Sequence, residues 1–411
     1  MGEHAFYELA TQPGHPQWEC LTRRRQALYN REDDVRSPFA RDYTRILHSK
    51  AYRRLKHKTQ VFFNIQNDHI CTRMEHVSLV DSVAGTIAKY LGLNGELTQA
   101  IAIGHDLGHA PFGHQGERIL NELSQKYLGQ RFWHEKNGLR FVDDIELLED
   151  SYRNRKNLDL TYAVRDGIIS HCGEVDQNGI KPRDELIDLE QFTEPNQYQP
   201  ATWEGCVVKV ADKIAYIGRD IEDALRRGFL KEAEKQKLLE MAREQDERVL
   251  NTTVIMYNMI IDICNQSNPE RGICLSDRFM RQMEELKSFN LNVIYRNPRL
   301  SAYNRYAALV LNEIFHTLMD CYEGRDTWRK LQEEESYYPS LMSTFSHWLA
   351  RYCDPTAIPE AGGLKELAVH CTNRKLYGCL DHKEPYIQAI VDYISGMTDS
   401  FSVRIFEELL N

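Results

Sequence analysis

Apolar residues recur every three or four positions along most of the chain, which is the signature of helices that bury one face. Ser37-Pro38 reads as an N-cap followed by a first helical residue, and Tyr43, Ile46, Leu47, Ala51 and Leu55 continue the pattern. Val77, Val80, Val83, Ala84, Ile87 and Leu91 mark the next helix, with His76 at its start and Gly92 as its stop. A further helix is expected over 97–107, and Ile119, Leu120, Leu123 and Tyr127 mark another. The ranges 133–148 and 160–171 also read as helical. The longest stripe, Val207, Val210, Ala211, Ile214, Ile217, Ile221 and Ala224, predicts a helix over 203–227 closed by Gly228. Helical patterns follow near 231–248, 252–265, 276–287, 304–322, 338–352 and 385–409. Strand signals are sparse. Residues 61–70 read as a hairpin or loop, 173–200 and 354–364 as loops, and 1–36 as a polar arm outside the core. With no repeat or composition-biased linker, one large all-α unit is the simplest architecture.

Composition narrows the class. The chain has 411 residues, 42% hydrophobic and 27% charged, as in soluble globular proteins. No apolar run approaches the roughly 18 to 20 residues needed to cross a bilayer, so no membrane partner is expected. The ten Cys form no CxxC pair and the first residues lack a signal-peptide pattern, which favours a reducing, cytoplasmic setting. A net charge of −10 argues against a general nucleic-acid binder. Locally the balance inverts: Arg41, Arg45, Lys50, Arg53, Arg54, Lys56 and Lys58 face a single acid, Asp42. A bound polyanion and a solvated helix face explain that run equally well.

The window 102–117, AIGHDLGHAPFGHQGE, concentrates His and acidic residues among several glycines. A helix reaching Leu107 would put His109 one turn beyond His105. Gly108, Pro111 and Gly113 then break the backbone and present His114 and Glu117 from a turn or new helix start. Neutral imidazoles and carboxylates suit a first-row divalent ion, and His76, His105, Asp106 and Asp212 are the candidate ligands. Asp212, Tyr216 and Asp220 form an i, i+4, i+8 ladder on the polar side of the 203–227 helix, with Lys213 and Arg219 beside it. His171-Cys172 has no evident partner in sequence and reads as structural rather than as a thiol nucleophile.

The order TRMEH ending at His76, then GHDLGHAPFGH, then ADKIAY resembles the HD-domain metal-dependent phosphohydrolases. Within them, HDLGHAPFGHQGE, HSKAYRRLKHKTQVF and the later DYISGMTDSF are similar to the deoxyguanosine triphosphate triphosphohydrolase family, over roughly residues 36–401. The resemblance implies an all-α, multi-helical HD-domain fold: an N-terminal arm over 1–36, an HD-type metal phosphohydrolase core over 37–230, and a helical C-terminal region over 231–411 packed on that core. It implies metal-dependent hydrolysis of dGTP or several dNTPs to deoxynucleoside and tripolyphosphate. The cofactor would be Mn, Mg or another first-row ion on His76, His105, Asp106 and Asp212. His114 and Glu117 fall at the family's proton-transfer pair, and His109 and His134 at positions that touch phosphate or assist proton transfer. Arg73, Lys213 and Arg54 are the candidate phosphate contacts. Tyr216, Asp220 and Gln60 are the candidate sugar contacts, and Tyr393 and Asp399 approach the nucleotide or serve helix packing. A homo-oligomer, a hexamer or smaller, and a nucleotide effector are further expectations of the resemblance. Two alternatives stay open: an HD-type nucleotide phosphatase or phosphodiesterase, and a non-catalytic nucleotide sensor or single-strand nucleic-acid binder.

Overall fold

Side-chain caps set several of the predicted helix starts. Ser37 Oγ accepts from the Ala40 N–H at 3.0 Å and Pro38 opens α2 (Pro38–His48), after a short α1 (Trp18–Thr22). Ser49 ends that helix and caps α3 (Lys50–Arg54), so the basic run is split across two helices. Thr72 and Glu75 form a reciprocal capping box that starts α4 (Arg73–Leu91), and Gly92 closes it with φ 81°.

The computed structural model describes residues 4–26, 28, 34–62, 71–172, 178–243, 251–360 and 363–411. α5 (Gly95–Gly104), α6 (Gly113–Leu128), α7 (His134–Arg140), α8 (Tyr162–Ser170) and α9 (Trp203–Arg226) complete the N-terminal half. Beyond them lie α10 (Glu232–Arg243), α11 (Thr252–Gln266), α12 (Asp277–Phe289), α13 (Leu300–Asp320), α14 (Thr327–Glu334), α15 (Pro339–Tyr352), α16 (Leu364–Val369), α17 (Lys383–Ser395) and α18 (Asp399–Leu410). Among the described residues the sheet content is one antiparallel pair, β1 (Leu147–Glu149) and β2 (Arg155–Asn157). The fold is therefore all-α. No described helix is long and apolar enough to cross a membrane.

α4 lies against α5 and α9, α5 also packs on α2 and α8, and α6 is held by α13 and α17. Val77, Val80 and Ile87 of α4 share one buried cluster with Ile214, Ile217 and Ile221 of α9. Burying each such aliphatic side chain contributes roughly 1.5 to 3 kcal/mol before conformational entropy is charged. That packing brings the polar end of α4 against the polar side of α9.

Several expectations change. α5 stops at Gly104 rather than Leu107, so His109 lies in a turn beyond the helix instead of one helical turn above His105. The range 133–148 is α7, a wider π turn at Phe141–Ile145, and then strand β1. The range 385–409 is two helices, α17 and α18, separated at Gly396, Met397 and Thr398. The N-terminal segment is no free arm, since Phe6, Ala10 and Leu21 enter the core and the Phe6 ring meets Trp203 with centroids 4.8 Å apart. Most of the loop expected over 61–70, part of that over 173–200, and the end of the 231–248 pattern lie outside the described residues. All ten Cys are free thiols.

Candidate metal centre and phosphate cavity

The start of α4, the turn after α5 and the middle of α9 meet at one corner. His76 Nε2 is 2.9 Å from Asp212 Oδ1, and His105 Nε2 is 3.8 Å from the same oxygen. Donors bound about 2.0 to 2.2 Å from one ion lie roughly 3 to 4 Å apart, so these three fit a common first-row cation. His105 is 1% exposed; its Nδ1 lies 2.6 Å from the Ala102 carbonyl oxygen, and its Nε2 has no hydrogen-bond partner. A buried, unpartnered imidazole nitrogen aimed at two other donors is the chemistry of a ligand rather than of core packing.

Asp106, the fourth expected ligand, lies beside this trio and is also bonded to Arg73. Both its oxygens accept from Arg73 Nη1, at 3.0 and 3.2 Å, and its Oδ1 is 2.8 Å from His109 Nδ1 and 3.8 Å from His105 Nε2. Burial alone would raise the Asp106 carboxyl, but the Arg73 charge and His109 outweigh it and hold it well below the usual range. The same burial, helped by Arg73, keeps His109 neutral far below the ordinary imidazole value. Arg73 retains two buried donors, Nε and Nη2, with no partner. Unmet guanidinium N–H groups facing a cavity fit an anionic oxygen.

That cavity, about 290 Å³, is lined in part by Gln60, Arg73, His76, Asp106, His109 and His114. Glu117, His134, Glu135, His171, Cys172, Asp212, Tyr216, Asp220 and Tyr295 also line it. The window reaches it because two glycines permit contacts that a Cβ would block. A Cβ on Gly108 would come within 2.0 Å of the His134 carbonyl, and one on Gly113 within 2.7 Å of the Gln60 carbonyl. Phe112, between them, adopts the left-handed region at φ 63°.

His114 sits at the rim, with its side chain 69% exposed and its Nδ1 4.0 Å from Glu117 Oε2. Glu117 is engaged elsewhere: its carboxylate accepts from the His134 backbone N–H at 3.2 Å and lies 3.1 Å from His134 Nδ1. The His134 ring stacks on His109 with centroids 3.8 Å apart. Burial opposes a charge on His134, but Glu135 and Glu117 overcome it and raise its pKa to about 9. Burial, with His105 and His134 nearby, lowers His171 to about 3.

On the α9 wall, burial raises Asp220 to about 7, and the Tyr295 hydroxyl donates to it. Gln60 Nε2 lies 3.4 Å from His76 Nδ1. Two expected phosphate contacts are not brought to the cavity. Arg54 instead pairs with Glu146 at 2.7 Å and covers the Phe141 ring, while Lys213 is buried beside Asp212 without lining the wall. Arg45 is likewise used internally, donating to the Leu158 and Asp159 carbonyls. Tyr295, Glu135, His171 and Cys172 were not among the expected site residues. For His171 and Glu135 the available signal was proximity in sequence to Cys172 and His134; for Tyr295, 75 residues beyond Asp220, there was none.

Residues 73–217 match the HD domain family. That span begins at Arg73 and includes His76, the window and Asp212. A Clostridium tetani protein described as deoxyguanosinetriphosphate triphosphohydrolase-like is 33% identical over 325 residues, covering 78% of this chain and 85% of its own length. A protein of the same description from Desulfatibacillum aliphaticivorans is 33% identical over 381 residues, covering 91% and 88%. Another from Bartonella tribocorum is 32% identical over 419 residues, covering 99% and 96%.

Proposed function

The chain belongs to the deoxyguanosinetriphosphate triphosphohydrolase-like family of HD-domain proteins, and from that premise we propose that it hydrolyses deoxynucleoside triphosphates to deoxynucleoside and tripolyphosphate. The observation that carries this reading is the adjacency of two complementary chemistries. The His76, His105 and Asp212 donors are close enough together to hold a cation, and the unpartnered Arg73 donors nearby suit an anion.

In the proposed reaction a water oxygen bonds to the α-phosphorus and the bond from that phosphorus to the 5′-oxygen breaks. The departing alkoxide takes a proton. A divalent ion held by His76, His105, Asp106 and Asp212 would supply Lewis-acid stabilisation of a phosphoryl oxygen when bound. Arg73, locked by Asp106, holds a second phosphate oxygen through Nε and Nη2. His134, kept protonated by Glu117 and Glu135, places a further positive charge over the same cavity. His114 at the rim is the candidate proton-transfer group, because its exposure leaves it open to solvent exchange. Tyr216, Asp220 and Gln60, which line the cavity, are the proposed sugar contacts, and Tyr295 donates to the Asp220 carboxyl. A close aromatic wall and a buried carboxyl reject an added 2′-hydroxyl where it clashes or leaves a polar group unpaired.

Incubating the purified protein with each of the four dNTPs, with Mn²⁺ or Mg²⁺, tests the proposal. Tripolyphosphate and deoxynucleoside are the expected products. Orthophosphate or a nucleoside monophosphate would move the assignment to another phosphohydrolase reaction, and binding without turnover would move it to a sensor.

A further inference from the structure

The motif at 392–401 does not line the cavity, yet one of its residues reaches the window. Asp399, the first residue of α18, is 3% exposed and accepts three hydrogen bonds. Its Oδ2 takes the Thr59 N–H at 3.0 Å and the Thr59 hydroxyl at 2.6 Å, and its Oδ1 takes the Phe112 N–H at 2.9 Å. One carboxylate thus ties the residue before Gln60 to the residue two before His114. We propose that Asp399 is a positioning residue for the cavity, holding the turn from Phe112 to His114 against Gln60 so that the C-terminal helices set the geometry of the proton-transfer edge.

Three features give this its force. Phe112 is in the left-handed region, which is unfavourable for a residue with a Cβ and persists only where its surroundings hold it. Gly113 then lies so close to the Gln60 carbonyl that an added Cβ would come within 2.7 Å of it, so the two segments are in close contact. The Lys58 ammonium, next to Thr59, donates both to the His109 carbonyl and to the Ser395 carbonyl, the latter at 2.9 Å, making a second tie between the window and the end of α17. By contrast, among the described residues no hydrogen bond or ion pair joins α17 or α18 to His76, His105 or Asp212, which are carried by α4, the turn after α5, and α9. The tie therefore acts on one edge of the cavity.

The inference rests on the proposed hydrolysis for its kinetic arm and stands apart from it in a second arm. Asp399→Asn keeps the shape but replaces one acceptor oxygen with an amide donor, set against the N–H and O–H donors of Thr59 and Phe112. Its expected effect is a fall in kcat of roughly 10- to 100-fold, the scale of a sub-ångström to 1 Å misplacement. Bound Mn²⁺ per chain should not change, and KM should move less than the turnover. Thr59→Val, a milder variant that keeps the volume, should lower kcat in the same direction, and Thr59→Ser, which restores the hydroxyl, should recover it. In the second arm, hydrogen exchange of the nucleotide-free protein should speed up over 109–117 in Asp399→Asn while α4 and α9 keep their protection. Unchanged kcat and unchanged exchange would overturn the proposal, as would a loss of activity that only follows loss of metal or of folded protein. Faster exchange with no dNTP hydrolysis in any variant would support the tie and sink the proposed reaction instead.

Discussion

The two halves of the 102–117 window are built in opposite ways. His105, Asp106 and His109 are buried and surrounded by fixed partners before any ligand arrives. His114 stands at an exposed rim, and Glu117 turns from it toward His134. The difference matches two chemical needs. Ligating atoms and a phosphate clamp gain from a dry, prearranged setting, where charge interactions are least screened and nothing has to reorganise. A group that exchanges protons gains from access to water and from freedom to close on substrate. The break at Gly108, Pro111 and Gly113 is the seam between the two.

The most severe way to attack this division is through the buried half. Asp212→Ala should remove the bound divalent ion and lower dNTP turnover by at least ~100-fold, since even residues behind metal ligands cost about 10- to 100-fold. Elemental analysis of the purified variant, alongside the product assay, checks it. Chelation should reproduce the loss in the wild-type protein, with Mn²⁺ restoring activity.

His114→Ala attacks the other half. Turnover should fall by roughly 10²- to 10⁴-fold while metal content stays at the wild-type level. Were the ion lost as well, the proposed split between the halves would be wrong.

A smaller effect is expected from Glu117→Gln. Glu117 helps hold the proton on His134, whose pKa stands at about 9, so removing that charge lowers the value and His134 becomes neutral at lower pH. The alkaline limb of the kcat/KM profile should shift down by about one unit or more, with the acid limb left in place.

The gentlest test uses Asp220 and stability alone. Its carboxyl titrates near 7 in the fold, above the ordinary value of 3.8. Between those values the unfolded chain has released the proton and the folded chain keeps it, so stability falls as pH rises from about 4 to about 7. Asp220→Asn should flatten that slope by a few kcal/mol at most across the window, read from urea unfolding at successive pH values.

Helices were readable because a stripe of Val, Ile and Leu on one face leaves little choice of conformation, as in α4 and α9. Their interruptions were harder to see. The breaks at Ser49 and at Gly396 to Thr398 fall within otherwise continuous apolar patterns, and only caps and packing mark them. At the site, the His and Asp spacing and the family resemblance directed attention to His76, the window and Asp212, which the fold brings to one cavity. Arg54 shows the opposite case. Its charge and its place in a basic run suggested phosphate, but Glu146 lies within 2.7 Å and takes it.

The amino-acid sequence by itself determined the all-α class, the stripes that become the core, and the side-chain types able to hold a cation and a phosphate. Those are local properties, set by periodicity and by the chemistry of each side chain. Only the tertiary structure decided which charges are spent on one another: Arg73 on Asp106, Glu117 on His134, Arg54 on Glu146, Asp399 on Thr59 and Phe112. Such pairings join residues far apart in the chain. They depend on distances of a few ångströms that periodicity does not encode, because charge interactions and hydrogen bonds are settled by where the packed helices place their ends.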